Sequence, residues 1–173
     1  ILSDSTAVIR LPAKLIIELS SLPAIRYLSY PSKLKPTLDV SLAETGADDV
    51  HLPAPSSSLT RAYTGKGVII GVVDTGIDWR HDDFVTAAGT SRFLYIWDQT
   101  DSWGPAPGGT FTTGTEYDRE TINRALEGEN IVFEKDTDGH GTHVSGIAAS
   151  GGRAAGGFTG LAPEADLILV KTD

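Results

Sequence analysis

The chain has 173 residues, of which 40% are hydrophobic and 21% charged, a composition typical of a globular domain with a sizeable core. Its formal charge of −9, from 14 Lys and Arg against 23 Asp and Glu, argues against nucleic acid or anionic membrane as a partner. The sequence has no cysteine, which excludes disulfides, thiolate zinc sites and a cysteine nucleophile, and no apolar run long enough for a membrane span.

The N-terminal segment predicts a strand, a helix and a second strand. A short apolar run occupies residues 8–11, and Pro12 suits the first turn of a helix. Apolar residues then recur at helical spacing as far as Leu22, where Pro23 ends the pattern. A second strand is expected at 25–30, so this segment forms a small βαβ unit.

A linker is predicted between this unit and the rest of the chain. Residues 37–64 contain two prolines, Pro53 and Pro55, and the serine run at 56–58. We therefore divide the chain into a segment 1–36, a linker 37–64 and a domain 65–173. The chain begins with Ile1 and shows no signal segment, which indicates a piece of a longer protein.

The domain alternates predicted strands and helices, which indicates an α/β fold with a parallel sheet. Strands are expected at 68–73, 92–98 and 165–171, helices at 118–126 and 140–150, and a loop at 102–114. The strands at 68–73 and 165–171 are nearly continuous apolar runs, a pattern typical of strands buried on both faces.

Two residues of this domain are candidates for catalysis. Asp74 ends the 68–73 strand, and reactive groups of open α/β sheets gather at the carboxyl ends of strands. His140 begins a helix, whose dipole favours neutral imidazole while a nearby carboxylate favours the charged form. A histidine under both influences can titrate near neutral pH, as a general base must.

The residue types around these positions leave alternatives open. His140, His143 and Asp138 could together bind a metal ion. The Asp-Thr-Gly at 74–76 is also a motif of aspartic proteases, but that chemistry needs a second such motif or a symmetric dimer, and the sequence has no second copy.

Three blocks of the sequence resemble the subtilisin-like serine proteases, or subtilases. They are GKGVIIGVVDTGID (65–78), DGHGTHVSGIAA (138–149) and GLAPEADLILVK (160–171). The resemblance implies the N-terminal half of a parallel-sheet subtilisin-like domain, with Asp74 as the triad aspartate, His140 as the triad base and His143 as a structural neighbour. The triad aspartate orients the imidazole and stabilises its charged form, and does not itself activate water.

The resemblance implies a serine endopeptidase that cleaves protein or peptide substrates through an acyl-enzyme, is secreted or held in the cell envelope, and requires no cofactor. The family's nucleophile lies in a downstream Gly-Thr-Ser-x-Ala-x-Pro block, which this sequence does not reach. Gly89-Thr90-Ser91 precedes the histidine and is expected to be a turn. We therefore expect the chain alone to be inactive and to need the remainder of the domain. The alternative is a pseudoprotease or peptide-binding regulator with the same fold.

Two further features follow from the resemblance. Residues 1–36 resemble the second half of the family's ferredoxin-like propeptide. Asp83 matches an aspartate of the family's structural calcium site, although the loop at 151–160 offers no Asn or Asp as a further ligand.

The distance along the chain between the two catalytic candidates points to a subtype. Asp74 and His140 are 66 positions apart, more than in compact subtilisins. The extra segment, with 93–100 and 116–128, resembles that of longer bacterial subtilases.

Overall fold

The computed structural model describes residues 11–28, 38–55, 57–109, 111–154 and 157–172. The chain divides into two compact units, Ile1–Lys35 and Pro36–Asp173. No helix among the described residues is long and apolar enough to cross a membrane.

The first unit contains the predicted helix. Pro12 precedes a 3-10 turn at Ala13–Leu15, which continues into helix α1, Ile16–Ser20. The strand predicted at 25–30 does not form over residues 25–28, where the N–H of Ile25 instead closes a turn onto the carbonyl of Leu22. The first predicted strand, apart from Leu11, lies outside the described residues, so the βαβ unit stays a prediction.

The second unit opens with two short helices inside the predicted linker. They are α2, Leu38–Thr45, and α3, Ala47–His51, separated by Gly46 in a left-handed conformation with φ 71°. The imidazole Nε2 of His51 lies 2.9 Å from the carbonyl oxygen of Leu161. This end of the linker is therefore attached to the domain.

Among the described residues, four strands form one mixed sheet in the order β1-β4-β2-β3. They are β1 (Ile69–Asp74), β2 (Phe93–Asp98), β3 (Thr115–Asp118) and β4 (Asp166–Lys171). β4 pairs in parallel with both β1 and β2, and β3 pairs antiparallel with β2. The mainly parallel α/β architecture is confirmed. β3 was not predicted, because its four residues are too few to show an alternating pattern.

The two predicted helices of the domain are also present. Helix α4, Arg119–Leu126, begins where the Asp118 carboxylate accepts a hydrogen bond from the N–H of Thr121 at 2.8 Å. Helix α5, His140–Ala149, carries the predicted histidine as its first residue.

The prediction that strand 68–73 is buried on both faces is wrong. Ile69 is 55% exposed and Val73 is 68% exposed. β1 is an edge strand whose one neighbour is β4, so its apolar run is covered only in part by the described residues. The strand predicted at 165–171 is β4, which lies inside the sheet and is paired on both sides.

The core packs around the sheet and fixes the end of α5. Its largest fully buried side chains are Trp79, Phe84, Phe93, Ile77, Ile96, Ile122, Leu167 and Leu169. The buried guanidinium of Arg92 donates hydrogen bonds to the carbonyls of Asp83, Ala149, Ala162 and Ala165. These bonds tie the C-terminal end of α5 to the segment that enters β4.

Candidate active site

The structure brings the two catalytic candidates into direct contact. Asp74 is the last residue of β1, and His140 is the first residue of α5. The Nδ1 atom of His140 lies 2.8 Å from Oδ1 of Asp74, a distance typical of a charge-assisted hydrogen bond. The same carboxylate oxygen accepts a bond from the N–H of Thr75 at 2.8 Å. Asp74 is therefore held both by its own turn and by the imidazole.

The two side chains differ in exposure. The Asp74 side chain is 13% exposed and that of His140 is 61% exposed. With Nδ1 bonded to Asp74, the hydrogen bonds of the described residues leave Nε2 of His140 unused. The imidazole thus has one nitrogen fixed by a carboxylate and the other available for proton transfer.

The contact between the two residues shifts both of their pKa values. Burial raises the pKa of Asp74, but hydrogen bonds from His140 and Thr75 outweigh burial and hold that pKa below its ordinary value. The hydrogen bond to Asp74, followed by its negative charge, raises the pKa of His140. The carboxylate therefore favours the imidazolium, the form that a general base reaches after it takes a proton.

Asp136 organises the start of α5. Its Oδ1 accepts bonds from the N–H groups of Gly139, at 2.8 Å, and Asp138, at 3.2 Å. Its Oδ2 accepts bonds from the N–H and the hydroxyl of Thr142, at 2.8 and 2.6 Å. These donors outweigh burial and lower the pKa of Asp136 to about 2. Asp136 therefore takes the place of an N-cap side chain, which Gly139 cannot supply.

Thr75 connects this cap to the aspartate turn. Its hydroxyl donates to Oδ1 of Asp136 at 3.0 Å and accepts from the N–H of Gly141 at 3.1 Å. The N–H of Asp78 donates to the hydroxyl of Thr142 at 2.9 Å. The segment after β1 and the first turn of α5 thus form one hydrogen-bonded unit.

Gly141 permits the close approach of these two segments. A Cβ atom at Gly141 would lie 2.1 Å from the carbonyl oxygen of Gly76 and 3.1 Å from Cβ of Asp74. Any side chain there would push α5 away from the turn that carries the aspartate. The glycine next to His140 is therefore required for the contact between Asp74 and His140.

The alternative metal site is not assembled. His143 lies on α5, and its Nε2 is buried with no hydrogen-bond partner among the described residues. Within the described part of the chain, no group of three or more His, Asp or Glu side chains is placed to bind a metal ion. His140 is instead bonded to Asp74, the pairing expected for a triad.

Asp83 binds backbone groups of the loop after α5. Its Oδ1 accepts from the N–H groups of Arg153 and Ala154, at 2.6 and 2.9 Å, and His81 lies 3.7 Å from its Oδ2. Both N–H groups approach Oδ1, so this oxygen of Asp83 is already hydrogen-bonded to the loop. Calcium binding at Asp83 stays a prediction.

The Gly-Thr-Ser sequence at 89–91 is the expected turn into β2. Ser91 is buried and forms an isolated antiparallel bridge with Val85. Its hydroxyl accepts a bond from the N–H of Phe93 at 3.0 Å. This serine therefore contributes to local structure.

Sequence analysis missed the residues that support the pair. Thr75, Asp136 and Thr142 lie in stretches assigned only to the motifs around Asp74 and His140. Asp136 lies three residues before the N-cap Gly139, outside the position where a capping side chain is expected, so no local pattern predicted its role. Glu134, which is buried and contacts the turn after β1, had no signal, because it precedes the motif in a segment without periodicity.

Comparison with known proteins agrees with this geometry. Residues 65–173 match the Subtilase family. The intracellular serine protease of Paenibacillus polymyxa is 34% identical over 138 residues, covering 80% of this chain and 32% of that protein. Serine protease AprX of Bacillus subtilis is 30% identical over 161 residues, covering 92% of this chain and 27% of that protein.

The similarity extends to solved structures. The Clostridium perfringens CspB protease superposes with a TM-score of 0.54 and 38% identity, covering 64% of this chain and 22% of that one. The chain therefore spans less than a third of the curated relatives and of this structure.

Proposed function

Because this chain belongs to the subtilase family, we propose that it supplies the aspartate and the base of a Ser-His-Asp triad in a serine endopeptidase. Asp74 is the orienting carboxylate and His140 is the general base. The observation that carries the proposal is the 2.8 Å contact between Oδ1 of Asp74 and Nδ1 of His140. The nucleophilic serine belongs to a part of the domain outside these 173 residues.

The contact between Asp74 and His140 supports a role of His140 as general base and then general acid. The bond to Asp74 places the proton of neutral His140 on Nδ1, which leaves a lone pair on Nε2. Nε2 takes the proton of the serine hydroxyl as that oxygen attacks the peptide carbonyl, and then gives the proton to the leaving amine. In the second half of the reaction, water attacks the acyl-enzyme while His140 takes a proton from it. His140 then returns a proton to the serine oxygen, which releases the product acid. Asp74 stays ionised throughout and stabilises the imidazolium in each step.

The remaining features of the whole protein are proposals that rest on the family. Its substrates are proteins or peptides, and its location is the cell exterior or envelope. Residues 1–36 act as part of a propeptide, 37–64 as a linker and 65–173 as part of the peptidase domain. No cofactor takes part in the reaction.

The direct experiment uses the full-length protein, a generic peptide substrate and a fluorophosphonate probe that labels active serines. His140→Ala should abolish both hydrolysis and labelling, because the serine then loses its general base. His51→Ala is the matched control, because this imidazole bonds a backbone carbonyl of Leu161 and should leave both signals intact. A full-length protein that neither hydrolyses peptide nor reacts with the probe would instead be a pseudoprotease or peptide-binding regulator.

A further inference from the structure

A buried carboxyl group lies directly behind the turn that carries the catalytic aspartate. Glu134 is 1% exposed, and its Oε1 accepts a hydrogen bond from the N–H of Ile77 at 3.0 Å. The indole N–H of Trp79 also donates to the backbone carbonyl of Glu134, at 3.3 Å. The mechanism above makes no use of this residue.

The contact of Glu134 with the turn is close. A Cβ atom at Gly76 would lie 2.5 Å from Oε1 of Glu134, and Gly76 has φ 130°. On its other side, the carbonyl oxygen of Gly76 faces Gly141 in the first turn of α5. The turn 75–77 is therefore enclosed between the Glu134 carboxyl and the helix that begins with His140.

The second oxygen of this carboxyl is unusual. Oε2 of Glu134 is buried and has no hydrogen-bond partner among the described residues. An ionised carboxylate with one oxygen unpaired in the interior is costly, whereas a protonated carboxyl needs fewer partners. The site therefore allows both protonation states, and they differ in their contact with the turn.

We propose that Glu134 is a positioning residue whose ionised form holds the turn 75–77 against the start of α5 and so couples pH to the alignment of Asp74 with His140. A carboxylate accepts a stronger bond from the N–H of Ile77 than a neutral carboxyl does. The inference rests on the proposed function, because alignment of the pair matters only if the pair is catalytic.

The charged and titratable groups that face Glu134 come from several elements. Lys171 of β4 favours its ionised form, while Asp98 of β2 and Asp136 disfavour it. Tyr117 of β3 also interacts with the Glu134 charge. Burial is the largest influence and raises the pKa of Glu134 to about 7. The carboxyl therefore changes its charge within the pH range in which His140 must be neutral.

The first measurement is independent of activity. In the full-length protein, the amide resonance of Ile77 should titrate with a midpoint near that of Glu134, because this amide donates to the carboxyl. Glu134→Gln should abolish the titration while keeping a side-chain oxygen as acceptor. Glu127→Gln is the control, because Glu127 is exposed after α4 and should leave the titration unchanged.

The second measurement is the pH dependence of kcat/KM. In the wild type, activity should depend on two ionisations on the acid side, those of His140 and Glu134. Glutamine resembles the neutral carboxyl, so Glu134→Gln should lose most activity near pH 8 and have nearly wild-type activity near pH 6. The ratio of kcat/KM at pH 8 to kcat/KM at pH 6 should therefore be about tenfold smaller in the variant than in the wild type. A purely structural role would lower activity by the same factor at both pH values.

The two measurements distinguish a failure of the proposed role of Glu134 from a failure of the proposed triad. An Ile77 resonance that does not titrate, or an equal loss of activity at both pH values, would overturn the role of Glu134 while leaving the triad assignment intact. A full-length protein without hydrolysis, in which the Ile77 resonance still titrates, would overturn the proposed function instead.

Discussion

At the scale of the residue, the hydrogen bond between Asp74 and His140 carries the proposed catalytic role of this domain. It fixes the tautomer of the imidazole and raises the pKa of His140. In the proposed triad neutral His140 is the base, so activity should rise with pH through a midpoint above the ordinary histidine value of 6.5.

Glu134 should make the protein less stable as pH rises. Its pKa is about 7 in the folded state against an ordinary 4.5, so the folded state binds the proton more tightly than the unfolded state does. The stabilisation is therefore fully present below pH 4.5 and is lost as pH rises through about 7.

Replacement of Glu134 with Gln should remove this dependence. Between about pH 5.5 and 8.5, the wild type should lose about 2 kcal/mol of unfolding free energy that the variant keeps. Denaturant unfolding of both proteins at the two pH values measures the difference. An equal change in wild type and variant would show that Glu134 titrates near its ordinary value.

At the scale of the element, helix α5 is placed by its glycines. Gly141→Ala should destabilise the protein by about 2–4 kcal/mol and strongly reduce activity, because the new methyl group would overlap the carbonyl oxygen of Gly76. Gly146→Ala is the matched control in the same helix, since a Cβ there meets no atom within 4 Å. The control should be neutral or stabilise by up to about 1 kcal/mol.

Denaturant unfolding measures the stability of the two glycine variants, and peptide hydrolysis measures their activity. A Gly141→Ala variant as stable and active as Gly146→Ala would contradict the close packing of α5 on the aspartate turn.

Most helices and strands of the domain were predictable from sequence, but the position of each strand in the sheet was not. The β-branched run at 68–73 predicted β1, because periodicity and composition report local conformation. The same run gave no information about which strand lies at the edge, since that depends on pairing between distant segments. β1 lies at the edge, whereas β4, with a similar apolar run, lies inside the sheet.

The candidate site likewise contains two residues that the sequence predicted and others that it did not predict. Asp74 and His140 stand in recognisable motifs, and the structure places them in contact. Asp136 and Glu134 act through hydrogen bonds to backbone groups of the aspartate turn and of the start of α5. Such bonds depend on the fold and leave no fixed spacing in the sequence.

At the scale of the whole molecule, the edge of β1 that has no partner strand among the described residues is where residues 1–173 expressed alone should associate. Val73 and Ile69 are exposed there, and an unpaired apolar edge favours association with other strands. Residues 1–173 expressed alone should therefore associate and should not hydrolyse peptide.

A charge on the edge strand tests this expectation. Val73→Lys should shift residues 1–173 towards the monomer in sedimentation velocity, because edge lysines oppose strand pairing. Leu161→Lys, at an exposed position outside the sheet, is the control and should leave the association unchanged. A wild-type fragment that is already monomeric would show that the β1 edge does not drive assembly.

The most direct test of the central claim is the turnover of Asp74→Asn in the full-length protein. Asparagine keeps the size of the side chain but removes the charge and no longer fixes the tautomer of His140. We expect kcat to fall by about four orders of magnitude near neutral pH, with the thermal unfolding transition preserved. Turnover close to that of the wild type would contradict the assignment of Asp74 and His140 as members of a catalytic triad.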